Sequence, residues 1–176
     1  KRESDMAEPL TTYKLMILAL LERSEAPLSG PQLCDFFLEK EYTNYFTVQE
    51  ALHELDENAF IKKEATHNNT RYSITPAGTQ SLSFFSDKLS KGIQSDIYEY
   101  LNANQLAIRE AASVLADYYK APGEQFAVRC QLKEREHPRI DLTITVPNEE
   151  IAVAICDNWK QQSEHVYEYL MDLLVQ

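Results

Sequence analysis

Glycine is scarce in this chain, four in 176 residues, which leaves little scope for the close backbone approach to a cofactor that glycine-rich loops provide. No phosphate-cradling loop, nucleophile elbow or metalloprotease helix is present, so neither a catalytic residue nor a cofactor is expected and the chain does not read as an enzyme. Cysteine is scarce too. Cys34, Cys130 and Cys156 are an odd count at wide spacings, which argues against a disulfide framework and for a reducing, cytoplasmic setting. The four histidines, His53, His67, His137 and His165, stand far apart and near no cysteine or carboxylate at zinc-binding spacing, so no metal site is expected. Long apolar runs are missing: the longest, residues 15–21, is far short of the ~20 residues of a membrane span. No charged-then-apolar leader precedes it, and the expectation is a protein that is neither exported nor in a membrane.

Positive charge is also in deficit. The formal net charge is -11, no long segment is basic, and a protein that grips phosphates usually concentrates lysine and arginine somewhere. Residues 1–5 are polar and unpatterned, which predicts a frayed terminus. The 44% hydrophobic content is nonetheless enough for real cores.

What is present is a run of helix signals ending in a ribbon. Residues 12–23 are apolar on nearly every face, as in a helix surrounded by others. Ser29-Gly30-Pro31-Gln32 supplies a serine cap, a reciprocal glutamine and an early proline for a second helix reaching about Lys40. Thr47-Val48-Gln49-Glu50 repeats the capping-box pattern, and Val48, Ala51, Leu52, Leu55 and Ala59 line one face of a third helix over 47–58. Residues 60–64 and 71–74 then flank His67-Asn68-Asn69, where asparagine tolerates the left-handed conformation of a tight hairpin. Thr75 caps the next helix with Pro76 at its first position. Three helices, a ribbon and a further helix are the order of a winged helix-turn-helix, with 47–58 in the recognition position.

This order, and the Tyr72-Ser73-Ile74-Thr75-Pro76-Ala77-Gly78 exit from the wing, resemble the winged-helix regulators of bacteria, particularly the PadR-like and MarR-like groups. The whole chain further resembles an uncharacterised bacterial family with an N-terminal winged helix, through Glu8-Pro9-Leu10-Thr11, Tyr42-Thr43-Asn44-Tyr45-Phe46-Thr47 and Ile155-Cys156-Asp157-Asn158-Trp159. The first resemblance implies a DNA-binding regulator; the second implies the fold and no established activity.

Beyond residue 88 the pattern changes. Ile93, Ile97, Tyr100, Asn104 and Ala107 step by helical intervals, predicting a helix that ends near Arg109. Residues 107–119 stay open between helix and strand. Pro122-Gly123 reads as the centre of a type II turn between alternating runs: Phe126, Val128, Cys130 and Leu132, then Ile140, Leu142, Ile144 and Val146. With 113–119 they make a three-stranded antiparallel sheet, which a terminal helix covers with Ile151, Ile155, Trp159, Val166, Leu170 and Leu173. The expected fold is α+β: a winged helix-turn-helix domain over 1–88 and an α/β accessory domain for dimerisation or sensing over 89–176.

The leading function is a DNA-binding transcriptional regulator acting as a homodimer. Thr43, Asn44, Tyr45 and Thr47 stand at the recognition-helix entrance, where free amides favour phosphate. Gln49 and His53 reach the groove, since glutamine can pair with adenine, and Lys62, Lys63, Asn68, Asn69 and Arg71 form the wing's cationic patch. Ile93, Ile97, Tyr100 and Asn104 are the dimerisation seam. The alternative is a winged-helix protein-interaction module without DNA affinity, favoured by Glu50, Glu54 and Glu57 on the third helix. Turn capping, a solvated acidic face and edge-strand lysines are the bland accounts of the same residues.

Overall fold

The computed structural model describes residues 2–67, 69–135 and 137–175, with side chains from residue 9 onward. It is α+β and divides into two units, 2–65 with 70–106 and 66–69 with 107–175.

In the first unit, α1 (Arg2–Arg23) contributes an unbroken buried stretch, Leu15, Met16, Ile17, Leu18, Ala19, Leu20 and Leu21. A helix buried all round needs no amphipathic stripe, and the other helices supply its cover. This helix begins well before the expected residue 12, with Pro9 inside it. A two-residue strand follows, β1 (Leu28–Ser29), and Ser29 then caps α2 (Gly30–Glu39) with the full capping box: Gln32 N–H donates to Ser29 Oγ, and Ser29 N–H donates to Gln32 Oε1. After α3 (Tyr45–Glu57), the wing strands β2 (Ile61–Ala65) and β3 (Thr70–Ile74) pair antiparallel, and β1 joins the other edge of β3. Thr75 caps α4 (Pro76–Phe85), its Oγ1 accepting from Gly78 N–H. This is the winged helix-turn-helix, its sheet completed by a strand too short to show a period of two.

A further helix, α5 (Lys91–Ala103), belongs to this unit rather than to the second. Its inward Ile97 and Tyr100 are 0% and 5% exposed; the Tyr100 hydroxyl donates to Gln32 O at 2.6 Å, and its ring lies 5.4 Å from Phe36. Lys40 reaches Asp96 and Glu99, and the Tyr42 hydroxyl donates to Asp96. The units therefore divide after Leu106, not near residue 88, because the α5 stripe is the last wall of the first core. Nor does one helix run to Arg109: Asn104 turns its amide back onto Tyr100 O and ends α5, and α6 (Gln105–Ser113) follows.

The second unit settles residues 107–119 as helix giving way to strand at Val114. Strands β4 (Val114–Ala121), β5 (Gln125–Glu134) and β6 (His137–Val146) form an antiparallel sheet in that order. Gly123, at φ +81°, occupies the left-handed position of the β4–β5 turn. The long α7 (Glu149–Leu174), capped by Asn148, lays Ala152, Cys156 and Trp159 against Val128, Cys130, Leu132, Ile140 and Val146. Trp159 satisfies its indole N–H on Gln131 O at 2.9 Å, as a buried tryptophan must.

Candidate functional site

The helix-turn-helix is set by Asn44. Its extended backbone and Oδ1, which accepts from Thr47 N–H at 3.1 Å, start α3 at Tyr45, two residues before the threonine that the capping-box pattern favours. Thr47 is thus inside the first turn, its hydroxyl 3.3 Å from the same Oδ1. The shift has a consequence for the surface. Tyr45 and Phe46 become the first helical residues, 52% and 81% exposed, with their rings edge-to-face at 5.9 Å. Phe46 did not figure among the expected contacts; the signal was an aromatic residue that fits neither the Val48, Ala51, Leu52, Leu55 stripe nor a turn.

Behind this entrance α3 is tied down. Lys14 on α1 meets Glu54 at 2.7 Å, and the Tyr13 hydroxyl donates to Tyr42 O in the turn. Both partners of the Lys14–Glu54 pair are partly exposed, so it orients the helix more than it stabilises it, at most about 1 kcal/mol. Gln49 turns toward α2, its Nε2 donating to Cys34 Sγ at 3.5 Å, so its amide is half-buried and engaged rather than presented to a groove. His53 stays outward, beside Glu57 at 3.4 Å, and Glu50 is exposed next to them. Thr43 is half-buried and Asn44 exposed. The turn is braced from α5 as well. Burial, with the hydrogen bond to Asp96, pushes the Tyr42 hydroxyl up to about 12, and that bond followed by Lys40 holds the Asp96 carboxyl below the usual range.

The wing does not gather its cations into one patch. Pairing sets Lys62 opposite Ser73, Lys63 opposite Tyr72 and Glu64 opposite Arg71, and with a period of two Lys63 lies on the other face from Lys62 and Arg71. Lys62 pairs with Glu64 on its own strand. Arg71 is central in the sheet, between Glu64 and Ser29, and half-buried, so desolvation lowers its pKa from the ordinary arginine value. Asn69 is exposed and closes the turn through Thr66, whose N–H donates to Asn69 O at 2.7 Å. Asn68 lies outside the described residues. The structure thus gathers Thr43, Asn44, Tyr45 and Thr47 at the entrance of α3 and leaves His53 outward about two turns further along, while Gln49 is engaged with Cys34, Lys63 and Lys62 lie on opposite faces of the wing, and Arg71 is half-buried in the sheet.

The expected dimerisation seam is likewise turned inward. Ile97 and Tyr100 are covered by their own domain, Ile93 is half-buried, and Asn104 terminates α5, so this stripe is not open to a second copy. Among the described residues no group of His, Cys, Asp and Glu could hold a metal ion, and no helix is long and apolar enough to cross a membrane.

Comparison with known proteins adds a family and little else. No curated protein matches the chain. Two solved structures of Lactococcus lactis ZitR match with a TM-score of 0.30: a cysteine-to-serine mutant, at 21% identity over 55% of this chain and 73% of that one, and a double mutant in apo form, at 22% identity over 60% and 89%. A likeness at that score carries no argument about this chain. The family match is of another order, because it runs from residue 13 to residue 174, through both units: the chain belongs to the family described as a domain of unknown function, DUF4364.

Proposed function

We propose that the protein is a DNA-binding regulator that meets duplex DNA through the entrance of α3 and acts as a homodimer. The observation that carries this reading is the winged helix-turn-helix itself, with α3 anchored from behind by Lys14 and Cys34 while its first turn stands in solvent. Thr43, Asn44, Tyr45 and Thr47 supply hydroxyls and an amide to phosphate at the helix N-terminus, and His53 stands outward about two turns further along α3. The net charge of -11 makes non-specific affinity weak, so recognition rests on few phosphate contacts and on base edges. The dimer interface in this reading lies away from Ile97 and Tyr100, and no catalysis is involved.

Selection from a random duplex library tests it, followed by anisotropy at two salt concentrations. An enriched sequence with a modest salt slope is expected. Because each phosphate contact contributes about -0.9 to the slope, Lys62→Gln with Lys63→Gln in a dimer reduces its magnitude by at most about 3.6. No enriched sequence and no salt-dependent binding at low ionic strength refutes the proposal.

A second reading is favoured by a separate observation, the acidic outer face of α3 beside the exposed Tyr45 and Phe46. An anionic helix with an aromatic end suits a basic protein partner better than phosphate. Nuclease-treated pull-down distinguishes the two: a partner retained without nucleic acid and lost in Phe46→Ala supports this reading, and an enriched duplex defeats it.

A further inference from the structure

The first unit contains a cleft of about 270 Å³ where α1, α4 and α5 meet, remote from α3 in sequence and unused by the DNA reading. Its apolar lining is Ala19, Leu82 and Leu89; its polar lining includes Glu22, Arg23 and Thr79. The cleft is open to solvent, and since an enclosed apolar cavity of about 150 Å³ takes a benzene, its volume leaves room for a ligand of amino-acid size.

The two charged groups are of opposite sign, and each has bonding capacity to spare. Arg23 donates to Gln94 O and Gln94 Oε1, each at 3.4 Å, well beyond the usual 2.9–3.0 Å of such bonds. A carboxylate placed on the guanidinium fork replaces two weak bonds with two charge-assisted ones. Glu22 accepts the Thr79 hydroxyl at 2.8 Å, and a carboxylate with about four acceptor sites can take an ammonium as well. The hydroxyls of Ser83 and Ser86 donate to Gln80 O and Ser83 O, so neither offers its proton to a ligand. One arginine beside a carboxylate, with no further cation among the described lining residues, opposes a multiply charged anion such as phosphate and matches a ligand carrying one charge of each sign.

We propose that this cleft binds a small zwitterion, an aliphatic α-amino acid, with its carboxylate on Arg23, its ammonium near Glu22 and its side chain on Ala19, Leu82 and Leu89. The site is independent of the DNA reading and stands or falls without it.

Titration calorimetry of the whole protein with L-leucine, L-valine and L-alanine tests the proposal, with leucinamide and N-acetylleucine as probes lacking the carboxylate or the ammonium. L-Leucine is expected to bind with a Kd of about 1 mM or tighter, and each blocked probe about tenfold more weakly. Arg23→Gln is expected to remove the preference over leucinamide, and Glu22→Gln the preference over N-acetylleucine; both residues are exposed at the mouth, and far-UV circular dichroism verifies that the variants fold. No binding of any of the three amino acids at about 10 mM, or blocked probes binding as tightly as leucine, overturns the proposal using the unaltered protein. Variants that fold and retain both preferences overturn it equally.

Discussion

Gly78→Ala probes the join between the wing and α4. A Cβ on Gly78 would stand 2.1 Å from Phe60 O and 2.8 Å from Ile74 Cγ1, separations that side chains do not tolerate. The obstructing carbonyl cannot easily move. Phe60 N–H is bonded to Leu55 O at the end of α3, and Phe60 O accepts from Thr75 N–H at the start of α4, so a shift of that peptide disturbs both helices. Alanine in a helix is worth about 1 kcal/mol over glycine, and overpacking against fixed backbone costs about 3 kcal/mol, the upper end of the usual range. The balance is a loss of about 2 kcal/mol, or roughly 4–8 °C in Tm for a chain of this size. Thermal and urea unfolding followed by far-UV circular dichroism measure it, and faster hydrogen exchange at β3 amides shows where the damage lies. An unchanged or higher Tm refutes the reasoning, because it would mean that propensity outweighs a contact the packing does not make.

Asn44→Ala removes the cap of α3 and is expected to cost about 1 kcal/mol in urea unfolding; a loss within error would return the helix start to Thr47. In the second unit, Arg129 grips Asp141 at two points, 2.9 and 2.6 Å, and holds its carboxyl at about 2, below the usual 3.8. A depressed folded pKa gives stability that is present above about pH 4 and lost as the pH falls toward 2. NMR titration of Arg129→Gln is expected to return Asp141 toward 3.8, and an unmoved titration contradicts the pairing. Burial pushes the Cys130 and Cys156 thiols up to about 11, so at pH 8 both stay protonated and react with a disulfide reagent only when denaturant is added. Rapid labelling of either in the native protein refutes their burial.

Where signals were local, the sequence was a good guide. Ser29 with Gln32, Thr75 with Pro76, and Pro122-Gly123 each specify a backbone conformation within four residues, and the structure places a cap, a cap and a turn there. Period-two alternation likewise announced β5 and β6. The misses share a cause. A threonine and an asparagine three apart can each cap the same helix, and the choice of Asn44 depends on how the turn packs on α1 and α5. The stripe from Ile93 to Tyr100 states that a face is buried but not by what: Tyr100 packs on Phe36 and Gln32 of α2, and α5 also lies against α1.

The same contrast governs the candidate site. Helix periods, caps and alternation lie along the chain, so the amino-acid order alone was enough for an α+β protein with a winged helix followed by a helix-covered sheet. Whether charges cooperate depends on register and desolvation, which arise only when distant strands pair. Alternation along β2 set Lys63 on the other face from Lys62 and let Lys62 meet Glu64, strand pairing withdrew Arg71 into the sheet between Glu64 and Ser29, and the start of α3 moved Tyr45 and Phe46 into water. A surface is the set of side chains that the core declines, and that set exists only after the core has been packed.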